Sequence, residues 1–503
     1  MLLAREARPF FRNRATMTPT INTTRLLPEL RHLATLTDCP PSPDPNTTAV
    51  TRILFTPRDL EARAYIASLA EAAGFQTRTD AIGNTFIRFP GLDPTLPAIG
   101  TGSHTDAIPH AGMYDGTVGV LGGLEAMRSL KESGFQPRRS IELLVFTSEE
   151  PTRFGIGCIG SRLLGGVLSP QIADNLPNLL EPETPGAPFM TASSSWVGSQ
   201  DTSTTEVRTL RDVRTAAGFT APLTTVPLPP NYYAAWVELH IEQGPLLERA
   251  MQPSTEPSLG AALKGTGFTP SITPPKADGA LAPEGTILGI VTNIAAPASY
   301  RYEITGLGGH AGALLMPDRR DALTAAAELI LSVERHTLAA NAASGTSDSV
   351  ATIGTVAVHP GAVNSVPSRV TLMLDIRDTD TNRRNQTMQA LRTDIKEIQT
   401  RRGVTITERQ INADAPATSD PHIVRTLETI CTTNAIPHKK MVSRAYHDTS
   451  FIARIAPVAM IFIPCRAGVS HRPDEYATPE SIAVGTQVLA LTLAQLANEN
   501  PAT

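Results

Sequence analysis

Two short apolar runs, each ending in imidazole or acidic side chains, constrain this chain more than any other feature. Pro97 to Gly102 leads directly into Ser103-His104-Thr105-Asp106, and Ile141 to Phe146 leads into Thr147-Ser148-Glu149-Glu150. Continuous apolar runs of this length suit strands buried on both faces, which occur in sheets covered by helices. The stretch between them, Gly116 to Ser133, reads as a helix ended by Gly134. The pattern predicts an α/β sheet with its polar groups gathered at strand ends, where open sheets of this kind place their sites.

At 503 residues the chain is too long for one compact core, so at least two domains are expected. Residues 1–20 read as a flexible basic segment. Arg5, Arg8, Arg12 and Arg14 face one acid, Glu6, a composition that suits a mitochondrial or other organellar presequence, or a disordered basic tail. Ordered chain is expected from Ile21. Two stretches, 169–230 and 252–285, are rich in Pro, Ser, Thr and Gly and read as mobile surface insertions. Residues 299–411 give strand, helix, two strands, helix, strand. That β-α-β-β-α-β order is a ferredoxin-like unit inserted into a catalytic domain made of 21–298 and 412–503.

Composition removes several classes of function. A net charge of −5 and a pI near 6.1 give no sign of a nucleic-acid or membrane-surface partner. No run of about 18 apolar residues suggests a spanning helix. Cys39, Cys158, Cys431 and Cys465 are far apart and read as reduced core residues.

What remains is an inventory for chemistry. His104 follows a strand, and Asp106 is placed to hold its far ring nitrogen. Asp115, in Tyr114-Asp115-Gly116, precedes a helix and is either a bridging ligand or an ordinary cap. Adjacent Glu149 and Glu150 after a buried strand are costly without a neutralising cation; one should bind metal and the other act as base. His240, flanked by Glu238 and Glu242, and His471 would complete the set. Imidazoles and carboxylates in this number fit a two-metal hydrolytic site.

The motifs H-T-D, Y-D-G, T-S-E-E-P-T-R-F-G, E-L-H-I-E-Q-G-P, G-H-A-G-A and S-H-R-P-D-E-Y resemble those of the dinuclear-metal allantoate amidohydrolase and N-carbamoyl-amino-acid hydrolase family of peptidase-like enzymes. The resemblance runs from about residue 25 to 497, apart from the insertions. It implies a large aminopeptidase-like domain with a mixed sheet, plus the inserted ferredoxin-like lid and dimerisation domain. It implies His104, Asp115 and His240 on one metal and Asp115, Glu150 and His471 on the other, with Glu149 as general base. It implies that His310 polarises the scissile carbonyl, acting across a homodimer interface. Gln243, Asn364, Arg377, Tyr446 and His447 are implied substrate contacts. The implied cofactors are two divalent ions per subunit. With no thiolate ligand, Mn²⁺, Zn²⁺ and Co²⁺ are all compatible, and the resemblance favours Mn²⁺.

The segments I-A-A-P-A-S, G-G-H-A-G-A-L-L-M-P, S-R-A-Y-H-D and M-I-F-I-P-C narrow the implied small-molecule substrate to ureidoglycolate, cleaved on the way to glyoxylate in purine breakdown. Allantoate amidohydrolases typically carry S-G-A-G-H-D where this chain has Arg444 and Tyr446. The alternatives are hydrolysis of allantoate or of an N-carbamoyl amino acid. A catalytically silent binding homologue would show a lost ligand or base, and every expected residue is present.

Overall fold

The computed structural model describes residues 19–180, 208–251 and 286–499. The basic segment up to residue 18, the central part of the first expected insertion, 181–207, and the whole of the second, 252–285, lie outside these.

A nine-stranded mixed sheet organises the larger part of the chain. Four parallel neighbours form its centre, in the order Ile141–Phe146, Ala98–His104, Tyr233–Ile241 and Val458–Ile463. All four are buried along nearly their whole length. Ile99, Leu143, Val145, Leu239 and Ile461 pack on one face, while Leu144, Phe146, Trp236 and Val458 pack on the other. The apolar runs of the sequence are therefore strands with helices on both sides, as parallel strands require. Antiparallel strands extend the sheet at either edge, among them Thr85–Phe89 and Leu288–Ile294.

The helix Thr117–Glu132 lies against the centre and is buried over most of its length. Pro479–Asn498, capped by Thr478, has the length and composition of a spanning helix, but its inner residues Ile482, Val488, Leu489 and Leu493 belong to the sheet's core.

Residues 169–230 were expected to be a mobile insertion, and the flanks differ from that. The helices Pro170–Asp174 and Leu210–Ala216 bury Ala173, Leu210 and Val213 in the second core cluster, and Arg214 pairs with Asp174 at 3.0 Å. A few well-spaced apolar residues suffice to dock these short helices within a stretch of polar composition.

The second sheet has four antiparallel strands in the order Val350–His359, Arg369–Asp378, Ala296–Thr305 and Thr405–Ala413. The helices Ala322–Ser344 and Thr381–Arg402 pack on it around Tyr300, Tyr302, Leu372 and Leu374. The chain enters and leaves this unit side by side. Ala298 pairs with Ala413, and the Asp414 amide donates to the Pro297 carbonyl at 3.1 Å.

Candidate metal centre

The carboxyl ends of the four central strands converge on one place. His104 is the last residue of its strand and stands in register with Phe146, three residues before Glu149. His240 stands in register with Phe462, and His471 lies in the loop beyond that strand. Parallel alignment thus delivers ligands from distant parts of the sequence to one edge of the sheet.

Asp115 is at the middle. Its Oδ1 lies 3.2 Å from His240 Nε2 and 3.8 Å from His104 Nε2, and its Oδ2 lies 3.1 Å from His471 Nε2. His471 Nε2 is also 3.4 Å from Glu150 Oε1. His104, Asp115 and His240 form one group able to hold a metal ion, and Asp115, Glu150 and His471 form another; within each group the ligand atoms lie no more than 4.8 Å apart. The two groups share Asp115. Glu149 stands beside them, its Oε2 3.8 Å from His104 Nε2.

Local backbone places Asp115. Gly116 has φ +67°, and a Cβ there would come within 2.5 Å of the His104 ring, so this turn accepts glycine alone. Three further residues around the cluster, Ser148, Gln243 and His471, hold left-handed backbone without being glycine. Strain of that kind persists only where surrounding contacts enforce it.

Asp106 acts differently from expectation. His104 Nδ1 lies 3.0 Å from the Asp106 backbone carbonyl, while the Asp106 carboxylate is 3.8 Å away. That carboxylate instead accepts the amides of Glu149 at 3.3 Å and Glu150 at 3.0 Å. The carbonyl still orients the imidazole, leaving Nε2 toward Asp115, and the side chain fixes the adjacent glutamates.

Charge in the cluster is lopsided. Burial pushes Glu149 far above the usual carboxylate range, helped by Glu150 and Asp448. Burial also takes Glu150 to about 8, partly offset by His471, and takes Glu475 to about 7 with help from Asp115. Burial alone would raise Asp115 too, but its contacts with His240 and His471 hold it well below normal. The same contacts raise both histidines to about 9, against the effect of burial. Among the described residues, no Lys or Arg forms an ion pair with Asp115, Glu149, Glu150 or Glu475. His240 and His471 offset Asp115, and the three glutamates left with no Lys or Arg partner are expensive to bury. Divalent cations would relieve that excess, and a nitrogen and oxygen donor set suits them.

The remaining expected residues separate into two sets. Gln243 Nε2 donates to Asp115 Oδ2 at 2.8 Å. His447 is buried, 3.0 Å from Ser443 Oγ, with its ring 4.6 Å from that of His240; burial and His240 keep it neutral. Tyr446 donates to Asp414 at 2.8 Å. Arg377 is half-buried, its Nε donating to Asp375 at 2.8 Å and its Nη1 directed at the Arg444 carbonyl at 3.5 Å. His310 and Asn364 are both exposed and adjoin one another on the smaller unit, where His310 pairs with Ser365. Among the described residues, no hydrogen bond or ion pair joins either to the cluster within one chain.

Glu475 was missed by the sequence reading. Fully buried, it accepts the amides of Tyr114 and Asp115 at 2.9 and 3.0 Å and the Ser470 hydroxyl at 2.8 Å, so it fixes the loop that carries Asp115. Its place in S-H-R-P-D-E-Y, four residues after His471, was the available signal.

Comparison with known proteins gives the family. The model of Peptidase family M20/M25/M40 matches residues 100–495. Ureidoglycolate hydrolase of Arabidopsis thaliana is 43% identical over 93% of this chain and 85% of its own length. N-carbamoyl-L-amino acid amidohydrolase of Geobacillus stearothermophilus is 32% identical over 89% of this chain and 93% of its own. The crystal structure of AtUAH in complex with glyoxylate superimposes with a TM-score of 0.75 at 41% identity, covering 96% of this chain and 99% of that one. A match over this length, with the strand-end cluster inside it, places the chain: it belongs to peptidase family M20/M25/M40.

Proposed function

We propose that the protein is a metal-dependent amidohydrolase that cleaves the ureido C–N bond of ureidoglycolate, releasing ammonia and CO₂ on the way to glyoxylate. The observation that carries this reading is the pair of ligand groups sharing Asp115, with Glu149 beside them and in neither. Similarity to the plant ureidoglycolate hydrolases supports the substrate.

Two divalent cations, Mn²⁺ in our reading and Zn²⁺ or Co²⁺ as alternatives, would be held by His104, Asp115 and His240 and by Asp115, Glu150 and His471, and would supply Lewis acidity and a water acidic enough to lose a proton near neutral pH. Glu149 is the base that takes that proton on its carboxylate and returns it to the departing nitrogen. Gln243 and Glu475 keep Asp115 in place. Arg377 offers a planar fork to the substrate carboxylate, which would displace or share Asp375. Tyr446 and His447 line the pocket, and Asn364, which adjoins His310, reaches it together with that residue. In this reading the protein is a homodimer, and His310, which faces solvent in its own chain, donates to the carbonyl oxygen from the second subunit.

Ammonia release by the purified Mn²⁺-loaded protein, offered ureidoglycolate, allantoate and an N-carbamoyl amino acid in parallel, tests this. Preference for ureidoglycolate, abolished by a chelator and restored by Mn²⁺, is the expected result. Preference for another compound keeps the mechanism and overturns the substrate. No turnover of any would overturn both.

A further inference from the structure

Arg162, on the helix Ile159–Leu164, is buried and makes contacts that a stabilising ion pair does not require. Its guanidinium donates to both oxygens of Asp414, at 3.0 and 2.7 Å. It also donates to the Tyr446 hydroxyl at 3.0 Å and to the Gly157 carbonyl at 2.9 Å, and it lies 4.4 Å from the Phe451 ring. The Tyr446 hydroxyl donates in turn to Asp414 Oδ2 at 2.8 Å, closing a ring of hydrogen bonds.

Each member of that ring belongs to a segment that bears on the site. Gly157 and Cys158 back Glu149, whose Oε1 lies 3.7 Å from Cys158 Sγ. Asp414 is where the chain returns from the smaller unit. Tyr446 sits between Arg444, whose carbonyl faces Arg377, and His447, whose ring packs on His240. The Arg162–Asp414 pair is already neutral and bidentate, so the phenol adds nothing to its charge balance. What the ring does add is a fixed rotamer for Tyr446, with the hydroxyl held from two sides.

We propose that Arg162 and Asp414 are positioning residues that hold Tyr446 as an immobile wall of the substrate pocket, so that they set the preference for a small ureide over a branched one with two ureido arms. This rests on the ureide hydrolysis proposed above. A lysine in place of Arg162 keeps the charge and loses the fork, which is the feature that can grip a carboxylate and a phenol together.

The test is a double-mutant cycle on the full-length Mn²⁺-loaded protein, with kcat and KM measured for ureidoglycolate and allantoate. Asp414→Asn is expected to raise KM for ureidoglycolate about tenfold, with a smaller fall in kcat, and to narrow the preference over allantoate by a similar factor. Arg162→Lys should do the same. In a Tyr446→Phe background the Asp414→Asn substitution should add less than about twofold, because the shared bond is already gone. Equal factors in both backgrounds, or a loss of kcat with KM and selectivity unchanged, would reduce the pair to a structural role and overturn the proposal. Should Arg162→Lys fail to fold, the Asp414→Asn and Tyr446→Phe cycle decides alone. Failure of the unaltered protein to hydrolyse any ureide sinks the proposed function and this inference with it, whereas turnover with additive effects sinks only the inference.

Discussion

Proton affinity in the cluster depends on what neutralises its acids. Without a cation, Glu150 titrates at about 8, Glu475 at about 7, and His240 and His471 at about 9. Each value lies above that of the unfolded chain, about 4.5 for the glutamates and 6.5 for the histidines. The stability these groups contribute is therefore complete below the unfolded values and is lost as pH rises through the folded ones. Asp115 has the opposite sign: its share is lost as pH falls from the unfolded value of 3.8 through its lower folded one, outside this window. The metal-free protein should thus melt at progressively lower temperature between about pH 6 and pH 9. His471, whose side chain is 47% exposed, should contribute less than buried His240. Because cations compete with these protons, added Mn²⁺ should raise the melting temperature more at about pH 8.5 than at about pH 6. Calorimetry at both pH values checks this, and an equal Mn²⁺ effect at the two would place the acid excess elsewhere.

At the scale of elements, the turn before the helix Thr117–Glu132 decides whether the ligands meet. Gly116→Ala combines a strained φ with a methyl group against His104. On the order of tenfold to a hundredfold weaker Mn²⁺ binding is expected by titration calorimetry, with the circular dichroism spectrum unchanged. Unaltered affinity would show that the turn can relax. The strands that carry this turn were legible because a parallel strand buried on both faces is written as an unbroken apolar run, as in Ile141–Phe146. The ligands were legible because they follow such runs. Other features were not. Spacing puts Asp106 two residues from His104 but does not say whether carbonyl or carboxylate meets the ring, which the path after the strand decides. Glu475 reaches a loop 360 residues away in sequence, a pairing no local pattern encodes. The Leu210–Ala216 helix vanished in an average over its polar neighbours.

For the whole molecule, the proposed role of His310 across a dimer interface makes a specific demand on assembly. Inactive His310→Ala and Glu149→Ala subunits, mixed in equal amounts and allowed to exchange, should recover about a quarter of wild-type activity. Half of the dimers would be mixed, and each of those would have one complete site of its two. No recovery would mean that His310 works within its own chain or does no work at all. The path of the chain has another consequence. Because the strands that open and close the smaller sheet lie side by side at Ala298 and Ala413, everything between them behaves as a cassette. His310, Asn364 and Arg377 can be exchanged together, by descent or by design, without displacing one ligand of the cluster. In such a scaffold, these three contacts can diversify as a set, while Gln243, Tyr446 and His447 stay with the ligands in the larger unit.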